Sequence, residues 1–442
     1  MGDNQQFVIV GGGLGGALLA CYLGKAGYPT HVYEMRDDLR RTEIGGGRSI
    51  NLALSYRGLC ALEPVGLVDE VLRNAVPMRG RMIHSRSGEL TFQSYGVSDS
   101  QSINSVSRNG LNAILLDAAA KFRNVTLSFN EKCTDVNFDS GELKLTNTRT
   151  HDQTSVRAEV AFSADGAFSA VRAAMQKRDR FDYSQQYLAH GYKELHIPSG
   201  HGGSFKIEKN ALHIWPRKSF MTIALPNADG SFTVTLFWPF DGPNSFAAIK
   251  SESDMLRFFN EQFPDALPLM PTLIDDYFHN PTGSMVTVRC RPWHFGGRVC
   301  LLGDAAHAVV PFYGQGMNAS FEDVLVLGEC LERHRPNLEA AFAEYETLRK
   351  PNADAIADLA IANFIEMRDK TGSRLFLMKK KAEKLLAKAL PGWYLPLYGM
   401  VTFSRIPYAE AVARSIRQNR IVLTAAAVFF VAVVLTVVRF LR

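Results

Sequence analysis

The chain has no Cys-x-x-Cys pair, and its six cysteines, Cys21, Cys60, Cys133, Cys290, Cys300 and Cys330, are scattered over 442 residues. That spacing argues against a disulfide framework and a cysteine metal site, and it reads as reduced thiols in a cytosol-facing protein. There is no internal repeat and no low-complexity tract. The first apolar run, Phe7-Val8-Ile9-Val10, is only four residues long before glycines follow, so no signal peptide is expected. Most of the chain also lacks an excess of positive charge. Residues 379–442 hold eleven Lys and Arg against Glu383 and Glu410, a net of +9, which leaves −4 elsewhere in a chain whose total is +5. An acidic body with no known nucleic-acid module disfavours a nucleic-acid binder. A basic tail suits a membrane surface instead. The hydrophobic fraction, 46%, is ample for a globular core, and the length predicts two domains plus extras.

The residues that are present are organised around positions 7–34. A strand at Phe7-Val8-Ile9-Val10 runs into Gly11-Gly12-Gly13-Leu14-Gly15-Gly16, a helix is predicted over 17–26, and His31-Val32-Tyr33 begins a second strand closed by Glu34. The glycines stand as G-x-G-x-x-G at Gly11, Gly13 and Gly16. In this pattern the first permits a tight turn, the second lets a pyrophosphate approach the backbone, and the third lets helix and strand pack closely. The phosphates then meet the free N–H groups of a helix N-terminus. Glu34, 18 residues after Gly16, can accept from ribose hydroxyls and opposes a 2′-phosphate, so FAD or NAD is favoured over NADP at this site.

Further along, an extended segment is predicted at 50–54 and a helix at 55–62. Strands of a different sheet are predicted at 78–85 and 89–95. A helix over 109–121 follows Arg108, with Leu111, Ile114, Leu115 and Ala118 on one face. Strands are expected at 125–129, 136–145 and 160–164. The strand-rich stretch 187–240 reads as one antiparallel sheet of a second domain. A helix at 254–263, a strand at 299–302 and a mostly helical region over 321–388 complete the body. Residues 421–438 carry no charge and are flanked by Arg417, Arg420, Arg439 and Arg442. Eighteen residues at about 1.5 Å each give about 27 Å, close to a bilayer's hydrocarbon core, so a C-terminal membrane anchor is expected.

Two further motifs follow the glycine loop in order. One is Asp165-Gly166-Ala167-Phe168-Ser169-Ala170-Val171-Arg172. The other is Gly303-Asp304-Ala305-Ala306-His307-Ala308, with Pro311 and then Gly314-Gln315-Gly316-Met317-Asn318. The triple resembles the aromatic-ring hydroxylase family of single-component FAD monooxygenases. The resemblance implies an α/β fold: a Rossmann-like FAD-binding domain, a β-sheet substrate domain, a helical C-terminal region and a C-terminal transmembrane helix. It places Asp304 on the ribityl chain of FAD, the backbone at Gly316, Met317 and Asn318 near the flavin ring, and Arg108 near the pyrophosphate. Asp165 belongs to a motif that touches FAD and is implicated in NADPH use. Leu14, Gly15, Arg36, Arg48, Ala53 and Cys133 complete the implied cofactor contacts. The division expected is 1–75, 100–180 and 285–350 for FAD, 76–99 and 181–284 for the substrate sheet, 351–420 for the helical region and 421–438 for the anchor.

Within that family, Gly47-Arg48-Ser49-Ile50-Asn51-Leu52-Ala53-Leu54-Ser55, Arg81-Met82-Ile83-His84-Ser85, Phe181-Asp182-Tyr183-Ser184-Gln185-Gln186-Tyr187, Ile365-Glu366-Met367-Arg368 and Met400-Val401-Thr402-Phe403-Ser404-Arg405 are similar to the branch acting on L-kynurenine. The likeness runs from about residue 7 to 416. It departs at the glycine-rich loop Ser199-Gly200-His201-Gly202-Gly203. A substrate carboxylate asks for a fixed cation with planar donors. The resemblance puts Arg81 and Tyr95 on that carboxylate, adds Asn363 and Tyr398 as polar contacts, and lines the ring pocket with Met367 and Phe312. From the residues alone, Arg79 rivals Arg81. The implied reaction uses NADPH and O2 to hydroxylate L-kynurenine through a C4a-hydroperoxyflavin, with no protein acid or base named and His307 read as a helix-start or packing residue. The implied location is a membrane, the mitochondrial outer membrane for a eukaryotic source and the inner membrane for a bacterial one. The rival readings are a flavin hydroxylase of another aromatic compound and a membrane-anchored flavoprotein that does not oxygenate.

Overall fold

A computed structural model describes residues 6–41, 51–96, 101–369 and 374–440. Its central element is a six-stranded sheet in the order His294–Phe295, Val299–Leu301, Val160–Ser163, Phe7–Val10, Thr30–Glu34, Val125–Phe129. All pairs are parallel except the edge pair His294–Phe295 with Val299–Leu301. Phe7–Val10 is buried at every position, as a strand covered by helices on both faces must be. The carboxyl ends of four parallel strands therefore lie side by side, and each carries one sequence motif. Gly11 follows Val10, Glu34 ends its own strand, Asp165 follows Ser163, and Asp304 follows Leu301. Ligands of such sheets bind in the crevice outside these ends.

The first helix starts earlier than its composition suggests. It runs Leu14–Lys25 rather than from residue 17, with Gly13 as its N-cap. Gly15 and Gly16 are poor helix formers, but here close packing overrides propensity. A Cβ on Gly16 would lie 1.9 Å from the Gly11 carbonyl oxygen, and one on Gly15 would lie 2.5 Å from Ser320 Oγ. Arg108, expected just before its helix, is instead the first residue of Arg108–Ala120, and Ser107 Oγ accepts from the Gly110 N–H to cap it. That helix buries Leu111, Asn112, Leu115, Leu116 and Ala119, while Ile114 and Ala118 are only half-buried against the same core.

A seven-stranded sheet carries the second unit, in the order Gly283–Arg291, Asp182–Ile197, Phe232–Pro239, Met221–Pro226, Ala211–Pro216, Gly80–His84, Leu90–Ser94. Within 187–240 the strands pair antiparallel, as expected, while Ala211–Pro216 pairs in parallel with Gly80–His84 from outside that stretch. Met78 belongs elsewhere, in a three-stranded sheet formed by Asn51–Leu54, Ile103–Ser107 and Val76–Met78. The strand Asp182–Ile197 is 16 residues long and pairs with Gly283–Arg291, a strand that crosses the 284/285 division. Side chains alternate across this sheet. On Phe232–Pro239, Phe232, Val234, Leu236 and Trp238 pack on Met255, Phe258, Phe259 and Phe263. Phe237 faces the other way, into a cluster with Phe312, Phe364 and Met367.

The C-terminal third is helical: Gly316–Arg333, Leu338–Asp369, Arg374–Ala389, Leu397–Thr402 and Tyr408–Phe440. A buried charge network ties these helices to the flavin-side motifs. Arg57 donates to Glu322 Oε1 at 2.7 Å, Arg349 donates to Glu322 Oε2 at 2.5 Å and to Asp323 Oδ1 at 2.7 Å, and His307 Nε2 lies 2.5 Å from Asp323 Oδ2. The guanidinium of Arg57 also sits 4.0 Å over the Tyr408 ring. The last helix, Tyr408–Phe440, contains an 18-residue window of mean hydropathy 2.9, none of it buried.

Candidate active site

The glycine loop makes a cradle open at one end. Gly11 has φ +101°, and a Cβ there would meet the Ala164 carbonyl oxygen at 2.5 Å. A Cβ on Gly13 would meet nothing within 4 Å, so the backbone there borders open space. No side chain caps Leu14–Lys25, whose first helical bond is Ala17 N–H to the Gly13 carbonyl at 2.8 Å. The N–H groups before Ala17 thus lack intrahelical acceptors and offer an anion site reinforced by the dipole. The Glu34 carboxylate faces the loop, accepting from the Gly12 N–H at 2.7 Å and the Arg36 N–H at 3.0 Å. The Arg36 side chain is largely exposed. Asn112 donates to the Gly12 carbonyl at 3.2 Å, while its buried Oδ1 has no partner.

The other two motifs are locked to one another. Asp165 accepts from the Ser163 hydroxyl at 2.6 Å and from the Ala170 N–H at 2.8 Å, so its carboxylate organises its own loop. Buried Arg172 donates to the Ala305 carbonyl at 2.7 Å and the Ala167 carbonyl at 2.5 Å, bridging the second motif to the third. Asp304, by contrast, is open to solvent. Protein crowds around it all the same, and poor hydration raises its carboxyl pKa while His307 and Arg108 pull the other way. Asp304 comes just after the strand Val299–Leu301 and so stands at the crevice outside the strand ends. His307 Nε2 lies 2.5 Å from Asp323 Oδ2, and its ring lies tilted beside that of Trp293 at 5.1 Å.

Asn318 is a latch. Its Oδ1 accepts from the Ser55 N–H at 2.9 Å, and its Nδ2 donates to the Ala53 and Gly314 carbonyls, both at 2.9 Å. It joins Asn51–Leu54 to the start of Gly316–Arg333, and the free N–H groups of that helix point the dipole's positive end into the same region. Cys133 is buried in the core, and burial pushes its thiol up to about 12, so only its backbone is available to a ligand. Arg108 is exposed and acts on Asp304 and Glu194 through charge. Arg48 lies outside the described residues.

The second end of the cleft is an aromatic box around one cation. The Arg81 guanidinium lies 5.5 Å from the Tyr95 ring centre and 5.3 Å from that of Tyr398, and those two rings stack at 5.3 Å. Arg81 is buried and its Nε has no hydrogen-bond partner. Arg79 is exposed, so burial separates the two arginines that the sequence left open. Burial works to lower the Arg81 pKa, but Tyr95, Tyr398 and Glu366 outweigh it and raise it. Burial also raises the pKa of both tyrosines, so they stay neutral beside the cation. Tyr313, which sequence reasoning missed, stacks on Tyr398 at 5.7 Å. Its signal was its place between Phe312 and the Gly314 turn.

An apolar slot adjoins the box. Phe312 stacks on Phe364 at 4.1 Å and meets Phe237 at 4.9 Å, and Met367 packs in the same cluster. Asn363 Nδ2 donates to the Phe312 carbonyl at 2.6 Å and lies 3.3 Å from Met367 Sδ. Leu212 and Ile223 pack against both this slot and the aromatic box, which makes the two contiguous. The segment 311–318 links the ends of the cleft: Phe312 in the slot, Tyr313 on the box, and Gly316, Met317 and Asn318 at the helix start.

A family pattern described as FAD binding domain matches residues 4–198 and 270–360. The tetrameric form of 2-methyl-3-hydroxypyridine-5-carboxylic acid oxygenase superposes on this chain with a TM-score of 0.67, covering 87% of this chain and 98% of that one at 23% identity, a likeness of fold. Fold and site together define an FAD-dependent monooxygenase. The chain is 52% identical over 408 residues to a kynurenine 3-monooxygenase of Myxococcus xanthus (strain DK1622), covering 92% of this chain and 88% of that one. It is 50% identical over 421 residues to that of Dictyostelium discoideum, covering 92% and 90%. The chain belongs to the kynurenine 3-monooxygenase family of NADPH-dependent flavin monooxygenases.

Proposed function

We propose that the protein hydroxylates L-kynurenine to 3-hydroxykynurenine, using FAD, NADPH and O2. The observation that carries this reading is Arg81, a buried cation with an unpaired Nε, boxed by Tyr95 and Tyr398 and opening onto the Phe312 slot. A free amino acid with an aromatic ring matches that pair of surfaces. Its carboxylate takes the planar guanidinium and the tyrosine hydroxyls. Its ring lies among Phe312, Phe237 and Met367, with Asn363 at the polar edge.

The residues at the other end fit FAD. Gly11, Gly13, Leu14, Gly15 and Gly16 would hold the pyrophosphate and Glu34 the ribose. Asp304 would take the ribityl chain, and the backbone at Gly316, Met317 and Asn318 the ring. The open space at Gly13, the poorly hydrated acid at Asp304 and the orphaned Asn112 Oδ1 support this placement. Bound FAD, reduced by NADPH, supplies activated oxygen. The chain's own part is to orient the substrate ring, exclude water and hold the carboxylate still. The substrate's amino group supplies the electron push, so no protein base is assigned. Residues 421–438 anchor the protein in a membrane with the catalytic body on the cytosolic side, at the mitochondrial outer membrane in a eukaryotic source. The test is NADPH oxidation by detergent-solubilised protein with and without L-kynurenine, with mass spectrometry of the product. Kynurenine-stimulated turnover with one oxygen added supports the reading. A yellow protein indifferent to kynurenine refutes the substrate and keeps the class.

A further inference from the structure

Of the chain's four tryptophans, Trp215, Trp238 and Trp293 are fully buried, whereas Trp393 is 43% exposed. Trp393 stands in the turn 390–394, which is fastened to the C-terminal helix at three points. Arg414 donates to the Gly392 carbonyl at 2.9 Å, the Gln418 side chain donates to the Trp393 carbonyl, and the Tyr394 hydroxyl donates to Asn419 Oδ1 at 3.2 Å. Ile421, the first residue of the uncharged stretch, comes three residues after Gln418, about 4.5 Å along the axis. Tyr408 and Ala411 of the same helix are buried in the body. No linker therefore separates the folded body from the apolar segment, and the turn sits about one helical turn from its start. Leu390 and Leu385 beside it are 43% and 67% exposed, and Lys388, Arg417 and Arg420 are exposed as well.

We propose that the turn 390–393 and the end of the helix before it form a platform seated on the membrane interface. Trp393 and Leu390 sit at headgroup level, and Lys388, Arg417 and Arg420 lie on anionic headgroups. This rests on the reading of 421–438 as a membrane span. An amphipathic indole is favoured at a membrane–water boundary. Long basic stems keep their charges at the headgroups while their carbons lie on apolar surface. Exposed Leu and Trp flanked by Lys and Arg are complementary to an anionic lipid surface.

The full chain loaded with FAD would be reconstituted into vesicles of phosphatidylcholine and phosphatidylserine whose acyl chains are brominated near the headgroup. Bromine quenches only nearby indoles, and three of the four are buried in the body, so quenching reads Trp393. The expected result is a loss of tryptophan emission relative to unbrominated vesicles. That loss should be absent in Trp393→Phe, which should float with vesicles as the unaltered chain does. Equal emission in both vesicle types from protein that floats would overturn the platform and leave the span standing. Equal quenching of Trp393→Phe would overturn it too. A chain that does not float would overturn the span reading, and the platform with it.

Discussion

Replacing Arg81 by alanine removes the one cation inside the aromatic box among the described residues. Its guanidinium is buried between two neutral tyrosines, 5.3 and 5.5 Å from their ring centres, so solvent screens it little. Truncating one partner of a buried hydrogen-bonded charge pair costs about 2–5 kcal/mol. At about 1.4 kcal/mol per tenfold, kynurenine binding should weaken by a factor of roughly 30 to several thousand. Arg81→Lys keeps the charge and loses the planar fork, so it should fall between wild type and alanine. Among the described residues the FAD cradle shares no side chain with this box, so flavin content should stay near wild type. The assay pairs equilibrium binding of kynurenine, read by the flavin spectrum, with measured FAD occupancy. Unchanged kynurenine affinity, or FAD loss with intact kynurenine binding, would refute the assignment. Arg79→Ala, at an exposed position, should change binding by less than twofold.

Asp304→Ala removes a charged acceptor on the cleft wall and should weaken FAD binding by about 1.5–3 kcal/mol, measured by flavin fluorescence titration; unchanged affinity would remove Asp304 from the ribityl role. Gly16→Ala forces a Cβ to 1.9 Å from the Gly11 carbonyl and should yield protein without flavin, scored by absorbance of the purified chain. Glu322→Ala leaves Arg57 and Arg349 without their shared buried carboxylate and should lower stability by about 3–5 kcal/mol in denaturant titration. His213 is held down to about 4 by burial, with the Glu208 carbonyl opposing. The unfolded chain binds a proton on this group near pH 6.5 and the folded one does not, so stability falls as pH drops from about 6.5 to 4, by about 3 kcal/mol at most. Replacing His213 with asparagine should flatten that part of the pH profile, and an unaltered slope would place the titration elsewhere.

What could be read from the sequence was what a backbone alone encodes. The G-x-G-x-x-G loop is legible because no side chain fits between Gly16 and the Gly11 carbonyl, a constraint that leaves glycine as its mark wherever the turn occurs. The carboxyl ends of the four parallel strands follow from the motifs that terminate them. Pairings set by distant residues left no such mark. Gly80–His84 meets Ala211–Pro216 in parallel across about 130 residues of chain, and nothing within either short strand marks its partner. Tyr313 left only a faint mark, its place beside Phe312, because only the fold carries Tyr398, 85 residues on, to its face. The charge network is the extreme case. Arg57, Glu322, Arg349, Asp323 and His307 come from four helices, and each alone reads as an ordinary polar residue. Yet that network anchors the helix that begins at Gly316 and holds Asn318 against Ala53. The residues expected to touch flavin and substrate are thus positioned, His307 apart, by residues that carry no motif. A substitution at Glu322 should therefore loosen both ends of the cleft at once, lowering FAD occupancy and kynurenine affinity together, whereas Arg81→Ala moves one and spares the other.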